Sequence, residues 1–237
     1  MASNVFAEIT RSDLQGLSTP RQASITDVKH LSSYNWIEAP TPTISVPGSP
    51  PLWSPPSVPR TLAKDSGLFY IAQNEARLPA SPLEPLFRAL YATNPTFDVR
   101  AIDVVTDRNN IRKLLSFINP RSSQGGPKAF TIEVEITGNT GLFCRQETST
   151  QEFRGYGREF EKAYTTNPVE GSNGHHRIIS YRFGDLRLVV RHESDGYLPD
   201  GVALASSVGN QDNELTDALA SLSVSSPNPP IATTSSK

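Results

Sequence analysis

The chain has 237 residues, 36% of them hydrophobic, and a formal net charge of −2 at pH 7. This balance gives no global basic footprint, so a nucleic-acid ligand requires a local cationic groove. The single cysteine, Cys144, excludes an intrachain disulfide and a cysteine-based zinc cluster and fits a reducing compartment. The sequence shows neither a signal peptide nor a run of about 18 apolar residues. We therefore expect a cytoplasmic or nuclear protein without a membrane span.

Composition divides the chain into three predicted parts: an N-terminal segment at 1–60, an α+β domain at 61–200, and a disordered, Ser-rich, low-complexity tail at 201–237. Residues 1–36 are expected to be peripheral. Eight prolines between 40 and 59 exclude a helix or a central strand there. This segment, the Pro-rich strap, is predicted to be disordered or extended over the domain through apolar residues such as Trp53. The alternative is a proline-rich ligand for a partner protein.

The first half of the domain alternates short strands with helices. A strand is predicted at 68–73, a helix at 81–94, a second strand at 99–105 and a second helix at 107–118. Asp107 is the expected N-cap of the second helix. Its helical spacing predicts a buried stripe formed by four apolar side chains, Ile111, Leu114, Leu115 and Ile118.

The second half is dominated by hairpins. Alternating residues predict strands at 129–137 and 142–148 around a Gly138 turn, followed by a helix at 153–166. Residues 167–176 are interpreted as a loop that contains His175 and His176. Strands at 177–183 and 186–195 then form a hairpin through Gly184-Asp185. The resulting fold class is α+β, a mixed or antiparallel sheet of hairpins with packed helices. In the tail, 212–224 is a candidate partner-docking helix.

Two carboxylates end the last predicted strand. Glu193 and Asp195 are two residues apart, so they point to one face of the strand, opposite the apolar face of Leu186, Leu188 and Val190. Paired oxygen ligands of this kind can bind Mg²⁺ or Mn²⁺, which can activate water for attack at phosphorus. The alternative is a solvated strand end, because most charged residues lie on the surface.

Three further charged residues are candidate site residues. Glu161, on the helix before the hairpin, either faces the acidic pair or belongs to an ordinary amphipathic helix. Arg108 and Lys113 begin a helix whose N-terminus could bind phosphate. Alternatively, this helix presents a solvated face, and its cationic side chains pair with Asp103 and Asp107.

Four segments in this order resemble the decapping exoribonuclease family. They are TDRNNIRKLL, FTIEVEITGNTGLFCRQET, GYGREFEKAY and YRFGDLRLVVRHESDGY, within residues 85–197. The resemblance implies hydrolysis at RNA 5′ ends with Mg²⁺ or Mn²⁺. It further implies that Arg108 contacts phosphate and that Glu161, Glu193 and Asp195 are metal ligands.

One part of that family's pattern is missing. The family follows its E-x-D strand with a strand bearing E-x-K, whereas the only Glu after Asp195 here is Glu214, followed by Leu-Thr. The resemblance therefore implies that the domain at 61–200 is nuclease-like but incomplete. It is expected to be either truncated or of reduced or absent activity, since positioned charges are typically worth ~10²–10³ in rate. The alternative function is a catalytically inactive RNA- or protein-binding scaffold.

The opening SYNWIEAPTPT resembles fungal proteins that often carry the label geranylgeranyl pyrophosphate synthetase. That label implies an all-helical enzyme with two D-D-x-x-D motifs for Mg²⁺-diphosphate. No two aspartates are adjacent in this chain, and its clearest patterns are hairpins. Prenyl diphosphate synthesis is therefore the disfavoured alternative.

Overall fold

The computed structural model describes residues 5–18, 23–66, 68–70, 72–119, 129–145, 150–152 and 155–198, with backbone alone at 68–70 and 150–152. The tail at 201–237, with its candidate helix at 212–224, lies outside the described residues. Across the described ranges, no helix has the length and apolar character needed to cross a membrane.

The fold is α+β and is built on a mixed sheet of seven strands, which confirms the predicted class. In spatial order the strands are β2 (Thr43–Ser45), β1 (Ile25–Ile37), β10 (Ser172–Phe183), β11 (Leu186–Glu193), β5 (Val104–Asp107), β7 (Thr140–Arg145) and β6 (Ile132–Thr137). Strand β5 runs parallel to both of its neighbours, and the other pairs are antiparallel. Such a sheet is incompatible with the all-helical prenyl synthase fold.

Two small ribbons and four helices complete the described fold. The ribbons pair β3 (Leu52–Trp53) with β9 (Thr165–Thr166), and β4 (Leu68–Tyr70) with β8 (Thr150–Glu152). The helices are α1 (Gln73–Arg77), α2 (Glu84–Thr93), α3 (Arg108–Ile118) and α4 (Gly157–Tyr164). The predicted helices at 81–94, 107–118 and 153–166 correspond to α2, α3 and α4, the last ending at Tyr164 because Thr165–Thr166 belong to β9. The Gly184-Asp185 turn joins β10 to β11. Gly184 adopts the positive φ of +60° that this turn requires.

The hydrophobic core lies on one face of the large sheet, which we call the core face. Tyr34, Val105, Ile178 and Val189 are completely buried there, together with Leu86 of α2. Helix α2 ends in Asn94, whose side-chain amide donates a 2.6 Å hydrogen bond to the Leu31 carbonyl. The side chains from four strands thus meet one helix, which fixes the strand register.

The expectation that residues 1–36 are peripheral is wrong. Residues 25–37 form β1, which pairs with β10 on one side and β2 on the other. Its Tyr34 and Trp36 are at most 1% exposed. The sequence signal is weak because β1 contains mostly polar residues before Tyr34, and burial of its aromatic residues depends on strands far away in the chain.

The predicted buried stripe on α3 is also wrong. Leu115 and Ile118 are 57% and 64% exposed, and Leu114 is 37% exposed. Helical spacing correctly predicts the helix, but it does not reveal which face packs against the sheet. Asp107 occupies the predicted N-cap position without making a side-chain capping bond, because its carboxylate binds Arg191 instead.

The Pro-rich strap lies against the domain. Thr43–Ser45 is a short edge strand, as the prolines permit, and the Trp53 ring stacks on Tyr164 at 5.6 Å between centroids. Phe160 stacks in turn on Tyr164 at 4.5 Å. This aromatic contact attaches the strap to α4, the helix that carries Glu161.

Candidate functional site

A cleft of about 280 Å³ opens where β5 and β11 end, between α1 and the start of α3. Crevices at the carboxyl ends of parallel strands are frequent ligand sites in sheet proteins. The lining is unusually rich in charge and comprises Ala72, Gln73, Asn74, Glu75, Asp107, Arg108, Asn109, Arg112, Arg145, His176, Arg191, His192, Glu193 and Asp195.

The acidic residues of the cleft continue the core face of β11, and the predicted face assignment for this strand is reversed. Val189 is fully buried in the core cluster, and the regular register places Arg191 and Glu193 on the same side. Leu186, assigned to the apolar face, is 49% exposed. The carboxylates therefore point to the side on which the core opens into the cleft.

Glu193, Asp195 and Glu161 lie close enough to influence one another. The pKa of Glu193 is raised to about 7 by the surrounding protein and by the carboxylates of Asp195 and Glu161, although the side chain retains access to solvent. The pKa of Glu161 is raised by burial and then by Asp195. Arg158 opposes both shifts. The site thus holds an excess of negative charge that a cation would relieve.

Carboxylate oxygens are suitable ligands for Mg²⁺ or Mn²⁺, and the mutual repulsion of these three acids favours a divalent cation. In the described part of the chain, however, no group of three or more His, Cys, Asp or Glu side chains is arranged to hold a metal ion. The donor chemistry fits such an ion, and the acids as they stand do not form a closed coordination sphere.

Arginines also line the cleft. Arg108 is the first residue of α3 and is exposed, and Arg112 follows it one turn later in the lining. The backbone N–H groups of the first turn and the helix dipole favour an anion at this point. Lys113 is absent from the lining, and its ammonium lies 5.6 Å from the centre of the Phe130 ring. The structure thus brings Arg108, but not Lys113, to the cleft.

A buried ion pair joins the two sides of the cleft. Arg191 is 1% exposed, and its Nε and Nη2 donate to the two carboxylate oxygens of Asp107 at 2.6 and 2.7 Å. Its Nη1 donates to the Pro82 carbonyl at 2.9 Å. Burial opposes the charge on Arg191, but the Asp107 carboxylate outweighs it and raises the pKa of the guanidinium. This pair fixes the start of α3 relative to the end of β11.

A polar network underlies the cleft floor. Asn74 of α1 contacts Tyr34, Trp36 and His176 through its side-chain amide. His175 and His176 were interpreted as loop residues, which is wrong: both lie within β10 and are at most 4% exposed. Burial, followed by the neighbouring cations, lowers the pKa of both rings, to about 4 for His175.

Unsatisfied polar atoms concentrate at this cleft. Among the buried side-chain atoms of the described residues, Gln73 Oε1, Asn109 Nδ2 and His176 Nδ1 have no hydrogen-bond partner, and all three residues line the cleft. Native proteins leave few buried polar groups unpaired, and those that remain often mark sites of function.

Sequence reasoning missed Glu75, Asp107, His176 and Arg191 as cleft residues. Glu75 is 4% exposed, and burial followed by the charge of Asp107 raises its pKa. The available signal was the Arg191 position itself, because a cation two residues before the E-x-D pair shares its strand face. Glu147, which ends the resembling hairpin segment, lies outside the described residues.

The fold and the cleft define an α+β protein whose site combines arginines at a helix N-terminus with mutually repelling carboxylates. The chain belongs to a family of domains of unknown function, DUF8563, whose family model matches residues 4–237. A search of curated protein sequences finds no significant match.

Comparison with solved structures finds S. pombe Rai1. One crystal structure gives a TM-score of 0.46 at 10% identity over 80% of this chain. Rai1 in complex with 3′-FADP, and a triple mutant in the same complex, each give 0.49 at 11% identity over 80% of this chain. The chain spans 58% of the length of the Rai1 chain in each comparison.

Proposed function

We propose that the protein binds the phosphorylated 5′ end of RNA in this cleft and acts as a decapping or pyrophosphohydrolase-like protein that depends on Mg²⁺ or Mn²⁺. The observation that carries the proposal is the meeting, in one cleft, of the arginine-bearing N-terminus of α3 with Glu193 and Asp195 at the end of β11. Glu161 of α4 does not line the cleft but lies close enough to raise the pKa of Glu193. Of the four ordered sequence segments that resemble the decapping exoribonuclease family, three contribute residues to the lining of the cleft, and the fourth carries Glu161 on α4.

Arg108 and the first turn of α3 hold the 5′ phosphate in this proposal. Arg108 is exposed and lies close enough to His192 to lower the pKa of that ring. A planar guanidinium beside free backbone N–H groups can bind phosphate oxygens through several charge-assisted hydrogen bonds. The Asp107–Arg191 pair keeps this helix terminus at a fixed place beside the acids.

Glu161, Glu193 and Asp195 would hold the divalent ion. When bound, the ion would activate water and stabilise charge that develops on the phosphoryl oxygens. Without the ion, Glu193 retains its proton up to about pH 7 because of its surroundings.

The second candidate is RNA binding without turnover, with the cleft acting as a receptor for phosphorylated ends. It is favoured by one observation: the part of the chain that the structure describes contains no three-residue group arranged around a metal position. The Pro-rich strap at 40–59 and the tail segment at 212–224 remain proposed contacts for a protein partner.

Hydrolysis is tested with 5′-triphosphorylated and capped RNA in the presence of Mn²⁺, by following the release of the 5′ group. We expect slow release by the wild type and a loss of at least about 10²-fold in Glu193→Gln. The exposed Glu170, which does not line the cleft, gives the matched control Glu170→Gln, which should behave as the wild type. Equal residual activity in the wild type and Glu193→Gln would remove the catalytic claim.

Binding is tested separately by fluorescence anisotropy of 5′-phosphorylated RNA at several salt concentrations. We expect Arg108→Ala to weaken binding and to reduce the log–log salt dependence by about one unit. The control is Arg100→Ala, an exposed arginine that pairs with Asp98. Negligible, salt-independent binding by the wild type would reject both candidate functions, whereas binding without cleavage would establish the second.

A further inference from the structure

The orientation of the Asn74 side-chain amide is fixed by Trp36. The indole Nε1 of Trp36 is a donor only, and it lies 2.9 Å from Asn74 Oδ1. The oxygen of the amide must therefore face Trp36, because the reversed orientation would place two donors against each other. It follows that Asn74 Nδ2 faces the other way, towards His176.

The hydroxyl of Tyr34 also donates a hydrogen bond to the Asn74 oxygen. Arg191 Nη1 can only donate, and it lies 3.3 Å from the Tyr34 oxygen, which accepts. The hydroxyl hydrogen is then directed to Asn74 Oδ1 at 2.6 Å. Two donor-only groups, one on each side, thus set the direction of every hydrogen bond that the Asn74 oxygen receives.

This arrangement determines where His176 carries its proton. Asn74 Nδ2 lies 3.1 Å from His176 Nε2 and must donate to it, so Nε2 accepts and has no hydrogen. An imidazolium has no acceptor nitrogen, so the ring is neutral with its proton on Nδ1. The ring is held in place by stacking on Tyr34, with centroids 4.9 Å apart and planes within 2°.

The Nδ1–H group is then a buried donor without a partner among the described residues. His176 is 4% exposed, lines the cleft and lies directly opposite Glu193 in the β10–β11 register. A buried donor without an acceptor is costly, and an arriving oxygen atom would remove that cost. A stacked, hydrogen-bonded ring cannot turn to find another partner without breaking the network beneath it.

We propose that His176 is a substrate-binding residue, a neutral donor that presents Nδ1–H to an anionic oxygen of the bound ligand. The identification of that oxygen as one on the 5′ phosphate of RNA rests on the proposed function. The direction of the donor follows from Arg191, Trp36 and Asn74 alone. Arg108 supplies charge at one side of the phosphate, and His176 supplies an uncharged, directional contact at the floor of the cleft.

The tautomer is tested first, by ¹⁵N NMR of the histidine rings in the full-length wild type. We expect the His176 signals of a neutral ring protonated at Nδ1, assigned by comparison with His176→Gln. Adding a 5′-phosphorylated oligonucleotide should shift the Nδ1–H resonance. A ring protonated at Nε2, or an Nδ1–H resonance that saturating oligonucleotide leaves unchanged, would overturn the proposal.

Two substitutions separate the two ring nitrogens. In His176→Asn the amide reaches about as far as Nδ1 and keeps a donor there, whereas in His176→Gln it reaches towards Asn74 and leaves the Nδ1 position empty. We expect His176→Gln to weaken binding of the 5′-phosphorylated RNA by about tenfold or more. His176→Asn should remain within a few-fold of the wild type.

A substitution at Asn74 should reverse the direction of the hydrogen bond between this side chain and His176. In Asn74→Asp, the carboxylate still accepts from Tyr34 and Trp36 but now accepts from His176 Nε2 as well, so the proton should move to Nε2. We expect the NMR signature of that tautomer and a loss of RNA affinity as large as in His176→Gln. Unchanged affinity in both variants, with tight binding by the wild type, would refute the role of His176 and leave the proposed function intact. Wild-type protein that fails to bind would refute the proposed function instead.

Discussion

The core face of the sheet has two halves that differ in chemistry although they lie on the same strands. In the first half, Val105, Ile178 and Val189 pack in the apolar core cluster. Further along β5 and β11, Asp107 and Arg191 occupy the next positions on the same face. On each strand, the face changes from an apolar to a charged side chain within two residues, and the cleft begins at that point.

The two halves are stabilised by different means. The apolar half gains free energy from removing hydrocarbon from water, a term without directional demands. The polar half must satisfy every donor and acceptor that it buries, and the Asp107–Arg191 pair does so through paired hydrogen bonds of 2.6 and 2.7 Å. Substitution in the first half should therefore cost stability according to the apolar volume removed, whereas in the second half the cost should depend on whether the partner is removed as well.

The largest effect is expected from breaking the buried ion pair. Arg191→Met leaves the Asp107 carboxylate without its partner and removes the bond to the Pro82 carbonyl. We expect the free energy of unfolding to fall by about 3–5 kcal/mol, the usual cost when one member of a buried pair is lost. Urea denaturation followed by circular dichroism measures this change.

The matched control removes both charges. In the double variant with Asp107→Leu, no unpaired charge remains, so a large part of the lost stability should return. Asp107 makes no capping bond to α3, and its replacement should therefore cost the helix little. If Arg191→Met alone unfolds at the same urea concentration as the wild type, the polar half does not depend on this pair.

A smaller effect is expected in the apolar half. Ile178 is completely buried, and Ile178→Ala should lower the free energy of unfolding by about 2–5 kcal/mol through lost burial and a residual cavity. The half-buried Val134 on the edge strand β6 provides a control, because Val134→Ala removes less buried surface. An equal loss in both variants would show that the core face is not the main source of stability.

The smallest effect concerns the acids, and its size depends on pH. Because the pKa of Glu193 is raised from 4.5 to about 7, the folded protein binds more protons than the unfolded chain between these values. Stability therefore falls as the pH rises from about 4.5 to 7, and it stays lower above that window. Glu193→Gln removes this loss, so its Tm should exceed that of the wild type at about pH 8 in the presence of a chelator.

The difference in Tm between Glu193→Gln and the wild type should become smaller on acidification, because near pH 4.5 the wild-type Glu193 carboxyl is protonated in the folded state. Differential scanning calorimetry at about pH 4.5 and about pH 8 measures this difference in Tm. Addition of Mn²⁺ at about pH 8 should raise the Tm of the wild type more than that of Glu193→Gln. A gap in Tm that is independent of pH would contradict the influence of Asp195 and Glu161 on this carboxyl.

Local patterns were sufficient to predict several elements of this fold. The Gly184-Asp185 turn and the helix that begins at Arg108 depend on short-range geometry, and the sequence shows both. The face on which a strand packs is not local. The alternation on β11 was recognised, yet the core face was misassigned because Leu188 and Val190 are also buried. Only the neighbouring strands decide which side meets α2.

The candidate site was also predictable only in part, because some of its contacts are local and others join distant segments of the chain. Glu193 ends β11 and Asp195 follows two residues later, so the sequence predicts that they lie close together, although the strand stops before Asp195. Their meeting with Arg108 depends on β5 lying beside β11, a parallel pairing between distant segments. His176 was missed because a Gly- and Asn-containing segment suggests a loop, whereas β10 extends through it to Ser172. A buried Asn74–His176 bond has no sequence signature.

The position of β1 in the sheet also limits the order in which the strands can fold during synthesis of the chain. Its neighbour β10 is far away in the chain, and the buried contact between Asn35 and His175 closes a separation of 140 residues. A ribosome makes β1 early, yet its aromatic side chains have no sheet to join until β10 and β11 emerge. Such long-range pairing slows folding and exposes Tyr34 and Trp36 in the nascent chain, where a chaperone would be expected to bind them.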